Sequence, residues 1–173
     1  LSLTVSGNVN ITVGIADLSV AFGASENWYG TEMLWFTVND NQNREVGSDS
    51  VDVNVLPVND TPYSFSVIYP TLQDTFSTHV DGDTAIAFTW NESIDIDSEV
   101  SYSLTLELEF SGNTYNDIHQ NITDTTFAVL SNSLDALLGG LNMDEFDLYW
   151  FVQSTDGEYT TVSDTGEFVL MRA

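Results

Sequence analysis

Three short segments carry the side chains of this chain most able to do chemistry. Ser93-Ile94-Asp95-Ile96-Asp97-Ser98-Glu99 sets carboxylates at alternate positions, and Ser154-Thr155-Asp156-Gly157-Glu158 repeats that spacing. Asn59-Asp60 lies between Pro57 and Pro62. Carboxylate and amide oxygens are hard donors, and a calcium ion takes about six to eight of them at roughly 2.3 to 2.6 Å. Catalytic chemistry finds less to work with. His79 and His119 are isolated, and neither a G-x-S-x-G elbow, an H-E-x-x-H pair nor a phosphate-cradling glycine motif occurs. Pairs of carboxylates spaced for glycoside hydrolysis arise by chance among 27 acidic residues. The expectation is therefore a protein that is not an enzyme.

The elements that must position those oxygens read as strands. Alternating runs at 1–5, 10–15, 18–22, 33–38 and 51–55 are separated by Gly, Asn or Asp, as in an all-β fold. After Val55, the prolines and the Asn-Asp pair cannot continue a central strand, so a boundary is expected near residue 60. Beyond it, strands are expected at 65–68, 84–90, 100–110, 125–130, 148–154 and 167–170. A serine cap, a leucine cluster and a Gly-Gly stop in Ser131-Asn132-Ser133-Leu134-Asp135-Ala136-Leu137-Leu138-Gly139-Gly140 predict one short helix. In an up-and-down count, the loops around Asp95–Glu99 and Asp156–Glu158 fall at the pole where the chain enters from Asn59. Five to seven oxygen donors would then converge.

Composition narrows the classes. The 173 residues hold 27 acids against Arg44 and Arg172, with no lysine, for a net charge of −25. Nucleic acid and anionic membranes are unsuitable partners for such a surface, and self-repulsion favours calcium-rich or salty surroundings. A halophilic surface is the plain alternative, and acidic loops that merely solvate a sandwich pole are the plain reading of the site. Cysteine is absent, which removes disulfides and thiolate metal sites. No apolar run reaches the roughly 18 residues of a membrane span, so no membrane insertion is expected.

The segments Gly7-Asn8-Val9-Asn10-Ile11-Thr12-Val13, Glu26–Asn41 and Val51–Asp60 resemble the C-terminal half of cadherin-like tandem repeats of large bacterial surface proteins. Trp90, Tyr102 and the aromatic run Tyr149-Trp150-Phe151 are similar to fibronectin type III and related immunoglobulin-like modules. The resemblance implies tandem immunoglobulin-like β-sandwiches: a partial cadherin-like domain at 1–60, lacking its first strands as a piece of a longer chain would, and a complete one at 61–173. It also implies calcium held at the junction by Asn59, Asp60, Asp95, Asp97 and Asp156. Glu99 and Glu158 are weaker candidates, as is Asp40, which occupies the matching position of the first part. Pro57 departs from the pattern, standing where such linkers usually carry an acid.

The function expected is that of an extracellular, cell-surface or secreted adhesive spacer stiffened by calcium, joined to neighbouring domains of the same chain. Two alternatives stand beside it. One is a filament subunit that self-assembles by β-strand complementation. The other is an accessory carbohydrate-binding module with a glycan target, for which Trp28 and Tyr29 would be the exposed platform, whereas Trp90 and one of Tyr149 and Trp150 are expected in the core.

Overall fold

The computed structural model describes residues 1–42, 46–78, 84–131, 133, 134, 138, 141 and 144–172. It is all-β, with fourteen strands among the described residues, and it divides into two units, Leu1–Val58 and Asn59–Ala173. Asn59 and Asp60 thus open the second unit.

In the first unit, β1 (Ser2–Ser6), β4 (Gly30–Asn39) and β5 (Val46–Val55) form an antiparallel sheet in the order β1-β4-β5. β2 (Ile11–Ala16) and β3 (Ser19–Ala24) form a separate hairpin closed by Asp17, at φ 53°, and Leu18. All five strands fall within a residue or two of the expected ones, except that β4 and β5 begin earlier. Side chains directly opposite across an antiparallel pair share a face. Leu34 pairs with Val51, Glu32 with Val53, and Phe36 with Val5, so these residues line one inner face. The hairpin packs on it through Phe22, whose ring meets Phe36 edge-on at 6.3 Å. Only Ile11 and Leu34 are buried apolar residues among those described in this unit.

One carboxylate ties these two sheets together. Glu32 Oε2 accepts the Val9 and Ile11 N–H groups at 3.0 and 3.1 Å, and Oε1 accepts the Asn10 N–H at 2.7 Å and its amide at 2.8 Å. Partial burial pushes the Glu32 carboxyl up, but these donors outweigh it and bring it down to about 2.

The second unit is a two-sheet sandwich. Its larger sheet runs β10 (Asn113–Ile122), β9 (Ser101–Phe110), β12 (Glu145–Thr155), β14 (Gly166–Arg172), β7 (Thr75–Thr78), with β13 (Thr160–Val162) also on β12. The smaller is β11 (Thr126–Leu130), β8 (Ala85–Trp90), β6 (Val67–Tyr69). Alternation buries one face of each central strand: Ile86, Phe88 and Trp90 from β8 meet Leu104, Leu106, Leu148, Trp150, Phe168 and Leu170 from the other sheet. Phe88 sets the inter-sheet contact edge-on to Trp150 at 5.1 Å and to Phe168 at 5.8 Å. β7 and β14 pair in parallel, while every other ladder among the described residues is antiparallel.

Four differences from the sequence reading have local causes. β6 begins at Val67, with Phe65 buried just before it. β10 was not expected; it returns from β9 through Ser111 and Gly112, both at positive φ, the backbone of a tight two-residue hairpin. β7 and β13, of four and three residues, were also missed. The expected helix lies mostly outside the described residues, as does His79; within them, Ser131, Ser133 and Leu134 are helical and Leu138 N–H bonds the Leu134 carbonyl.

Candidate functional site

The second unit's entry pole is built from three pieces of chain. Asn59 and Asp60 lead in, residues 91–100 join β8 to β9, and Asp156 starts the turn between β12 and β13. Each piece is anchored from below. Ser93 donates its hydroxyl to the Tyr63 carbonyl at 2.7 Å and its N–H to the Tyr102 phenol at 3.0 Å, while Thr161 holds the Pro62 carbonyl at 2.6 Å. The buried Trp90–Tyr102 pair, 5.6 Å apart, supports the loop floor.

On this floor the predicted residues come together. Asn59 donates its amide to Asp156 Oδ2 at 2.7 Å and accepts the Ser98 hydroxyl at 3.3 Å. The Asp60 N–H reaches Asp97 Oδ2 at 3.4 Å. Asp95 Oδ1 accepts the Asp97 and Ser98 N–H groups, both at 3.1 Å, and Asp156 Oδ1 accepts those of Glu158 and Tyr159 at 2.7 and 2.6 Å. Each of these last two carboxylates therefore spends one oxygen ordering its own loop.

Electrostatics differ across the pole. The Asp97 carboxyl is pushed up, chiefly by its contact with the Asp95 carboxyl, then by partial burial and by the charges of Asp95 and Asp60, against the opposing Asp60 N–H. Asp156 is pulled down by the Tyr159 N–H, helped by Glu158 and the Asn59 amide and opposed by partial burial. Asp95 Oδ2 is buried with no hydrogen-bond partner. A buried carboxylate oxygen without a partner, in a loop that holds a second carboxylate, is costly to leave unmatched, and a hard cation is the chemical match for it.

The donor set thus fits calcium in kind, but not as a closed cage. Among the described residues, no group of three or more His, Cys, Asp or Glu is arranged to hold a metal ion. The reason is visible in the bonds: Asp156 Oδ2 is turned to the Asn59 amide, and Asp60 meets Asp97 through its N–H. Glu99 and Glu158 are exposed, and their carboxylates make no hydrogen bond to the cluster among the described residues. Asp40 follows β4 in the first unit, where its carboxylate accepts the Gln42 N–H at 2.9 Å.

Of the aromatic candidates, Trp90 and Trp150 are core and Tyr149 faces outward from β12 beside Glu167. Trp35, on β4, lies on the outer face at 49 % exposure. Tyr29 is exposed, and Trp28 is half-buried against Gly30. Sequence reading missed Glu32. Its parity with Leu34 and Phe36 on β4, which sets a carboxylate on an inner face, was the available signal.

No family model matches the sequence, and no curated protein matches it. Among solved structures, the chain is similar to human mucin-like protocadherin EC1-2, at 13 % identity over 99 % of this chain and 84 % of that one, with a TM-score of 0.44. It is also similar to Drosophila N-cadherin EC1-4, at 16 % identity over 98 % and 42 %, with a TM-score of 0.42. A third is a Ca2+-stabilized adhesin of an Antarctic bacterium that binds ice, at 16 % identity over 94 % and 40 %, with a TM-score of 0.31.

Proposed function

We propose that this chain is a non-catalytic extracellular adhesive spacer whose second unit binds calcium at its entry pole. The observation that carries the reading is Asp95 Oδ2, a buried carboxylate oxygen without a partner, beside an Asp97 carboxyl pushed up by that same neighbour. Asp95 and Asp97 would supply the anionic oxygens, with Asn59, Asp60 and Asp156 completing the set once their side chains turn. A bound cation replaces the strained carboxylate pair with opposite charge. It also fixes Asn59 and Asp60, the first residues after the first unit, and so stiffens the connection between modules. Asp40 would play the corresponding part for a module ahead of the first.

Thermal unfolding in excess EDTA, in millimolar calcium, and in NaCl of matched ionic strength tests this. Calcium at about 100 times its dissociation constant adds about 2.7 kcal/mol, a rise on the order of 10 to 20 °C for a domain of about 100 residues. The rise is expected with calcium alone; an equal rise in NaCl reduces the pole to a screened acidic surface. Asp97→Ala or Asp156→Ala should weaken calcium binding about tenfold or more, and Asp52→Ala should leave it unchanged. Affinity should also fall with pH through the raised Asp97 titration, because the ion requires the deprotonated form.

A further inference from the structure

We propose that a cavity in the second unit, between the loop 91–100 and the turn 123–125, binds a hydroxylated organic amine of the amino-sugar class. The cavity measures about 700 Å³. Trp90 and Tyr102 belong to its walls together with the carboxylates Glu92, Asp95, Glu99 and Asp124, and no lysine, arginine or histidine lines it among the described residues. Asn59, Asp60, Asp97 and Asp156 do not line it either, so Asp95 alone is shared with the calcium pole.

Carboxylates around a hollow are by themselves only a solvated acidic surface. What singles this hollow out is Trp90, 2 % exposed, whose indole Nε1–H is buried with no hydrogen-bond partner. Among the described residues two buried side-chain atoms lack a partner, that N–H and Asp95 Oδ2, and both belong to residues of this cavity. Asp95 Oδ2 finds its match in the cation of the pole, but the indole is a donor and gains nothing from a metal ion. Tyr102 does not satisfy it, because its phenol is taken up by the Ser93 N–H and carbonyl. A buried donor left unmatched is costly, and a ligand acceptor removes that cost.

The ligand class follows from these two kinds of group. The carboxylates call for a positive charge, which a chain of net charge −25 does not itself supply. The indole calls for a lone pair. A lysine ammonium or an arginine guanidinium brings charge without an acceptor, and a neutral sugar brings acceptors without charge. An amine flanked by hydroxyls brings both: its hydroxyl oxygens accept from the indole, while its ammonium and hydroxyl protons go to the carboxylates in charge-assisted hydrogen bonds.

Titrating the nitrogen-15-labelled 173-residue chain with D-glucosamine, and following the indole N–H resonances, tests the proposal. In excess EDTA, which keeps the calcium pole empty, one of the four tryptophan resonances should move and saturate, and Trp90→Phe should remove that resonance. D-glucose, which lacks the ammonium, and cyclohexylamine, which lacks the hydroxyls, should each bind about tenfold more weakly or worse. Asp124→Asn, in an exposed turn, should weaken glucosamine about threefold, whereas Glu109→Gln, outside the cavity, should leave it unchanged; these two keep the test decisive if Trp90→Phe does not fold. No moving indole resonance, equal binding of glucose or cyclohexylamine, or binding that appears only when calcium is restored would overturn it.

Discussion

The two units use the same strand alternation to very different ends. In the second, β8 closes over β9, β12 and β14, and Leu148, Trp150 and Phe168 are fully buried. In the first, β4 carries an equally regular pattern, yet Leu34 is its only fully buried apolar side chain, and Val51, Val53 and Val55 of the neighbouring β5 stay partly exposed. Periodicity therefore specifies which face points inward; it does not supply the layer that covers it. What holds the first unit in place of a thick core is partly polar, the Glu32 carboxylate gathering the backbone ahead of β2.

The largest expected effect separates the cores. Leu148→Ala should cost about 2 to 5 kcal/mol, the range for a buried leucine, while Val51→Ala should cost about 1 kcal/mol or less because its surface is already partly wet. Denaturant unfolding of each variant measures both, and similar costs would erase the contrast. Two glycines sharpen it. A Cβ on Gly166 would run into the Trp150 indole, so Gly166→Ala should destabilise by about 1 to 3 kcal/mol. Gly47, in β5, has nothing within 4 Å of the same position, and Gly47→Ala should be neutral or stabilising by about 0.5 kcal/mol.

The smallest effect concerns pH. A carboxyl held at about 2 when folded, against an ordinary 4.5, contributes stability that is present above 4.5 and lost as pH falls through 2. Glu32→Gln should therefore lower the melting temperature of the first unit at pH 7, and the difference should shrink to nothing near pH 2. A difference constant across that range would mean that shape rather than charge holds β2 to β4.

Legibility in the sequence followed the same physics. Strands with one buried face announce themselves by alternation, so the five of the first unit and the central ones of the second were readable. β10 was not, because an edge strand written Asn113-Thr114-Tyr115-Asn116-Asp117-Ile118-His119-Gln120-Asn121-Ile122 buries too little to show a pattern. β7 and β13 are too short to carry one. At the pole, topology sufficed to bring Asn59, Asp60, Asp95, Asp97 and Asp156 together, since loops at one end of a sandwich converge whatever their sequence. Which oxygen each would give to its own backbone was not readable, because that depends on loop conformation, and it is what separates Asp95 and Asp156 from Glu99 and Glu158.

The parallel pairing of β7 with β14 bears on how the second unit would respond to a pull on its two ends. Tension entering at Asn59 and leaving beyond Arg172 drags these neighbouring strands in opposite directions along their own axes, so the bonds from Thr75–Val169 to Thr78–Arg172 are loaded in shear and must yield together. An antiparallel pair held at the same two ends would peel open one bond at a time. The lifetime of that ladder under such a load would then be set by the rate at which its few bonds break together.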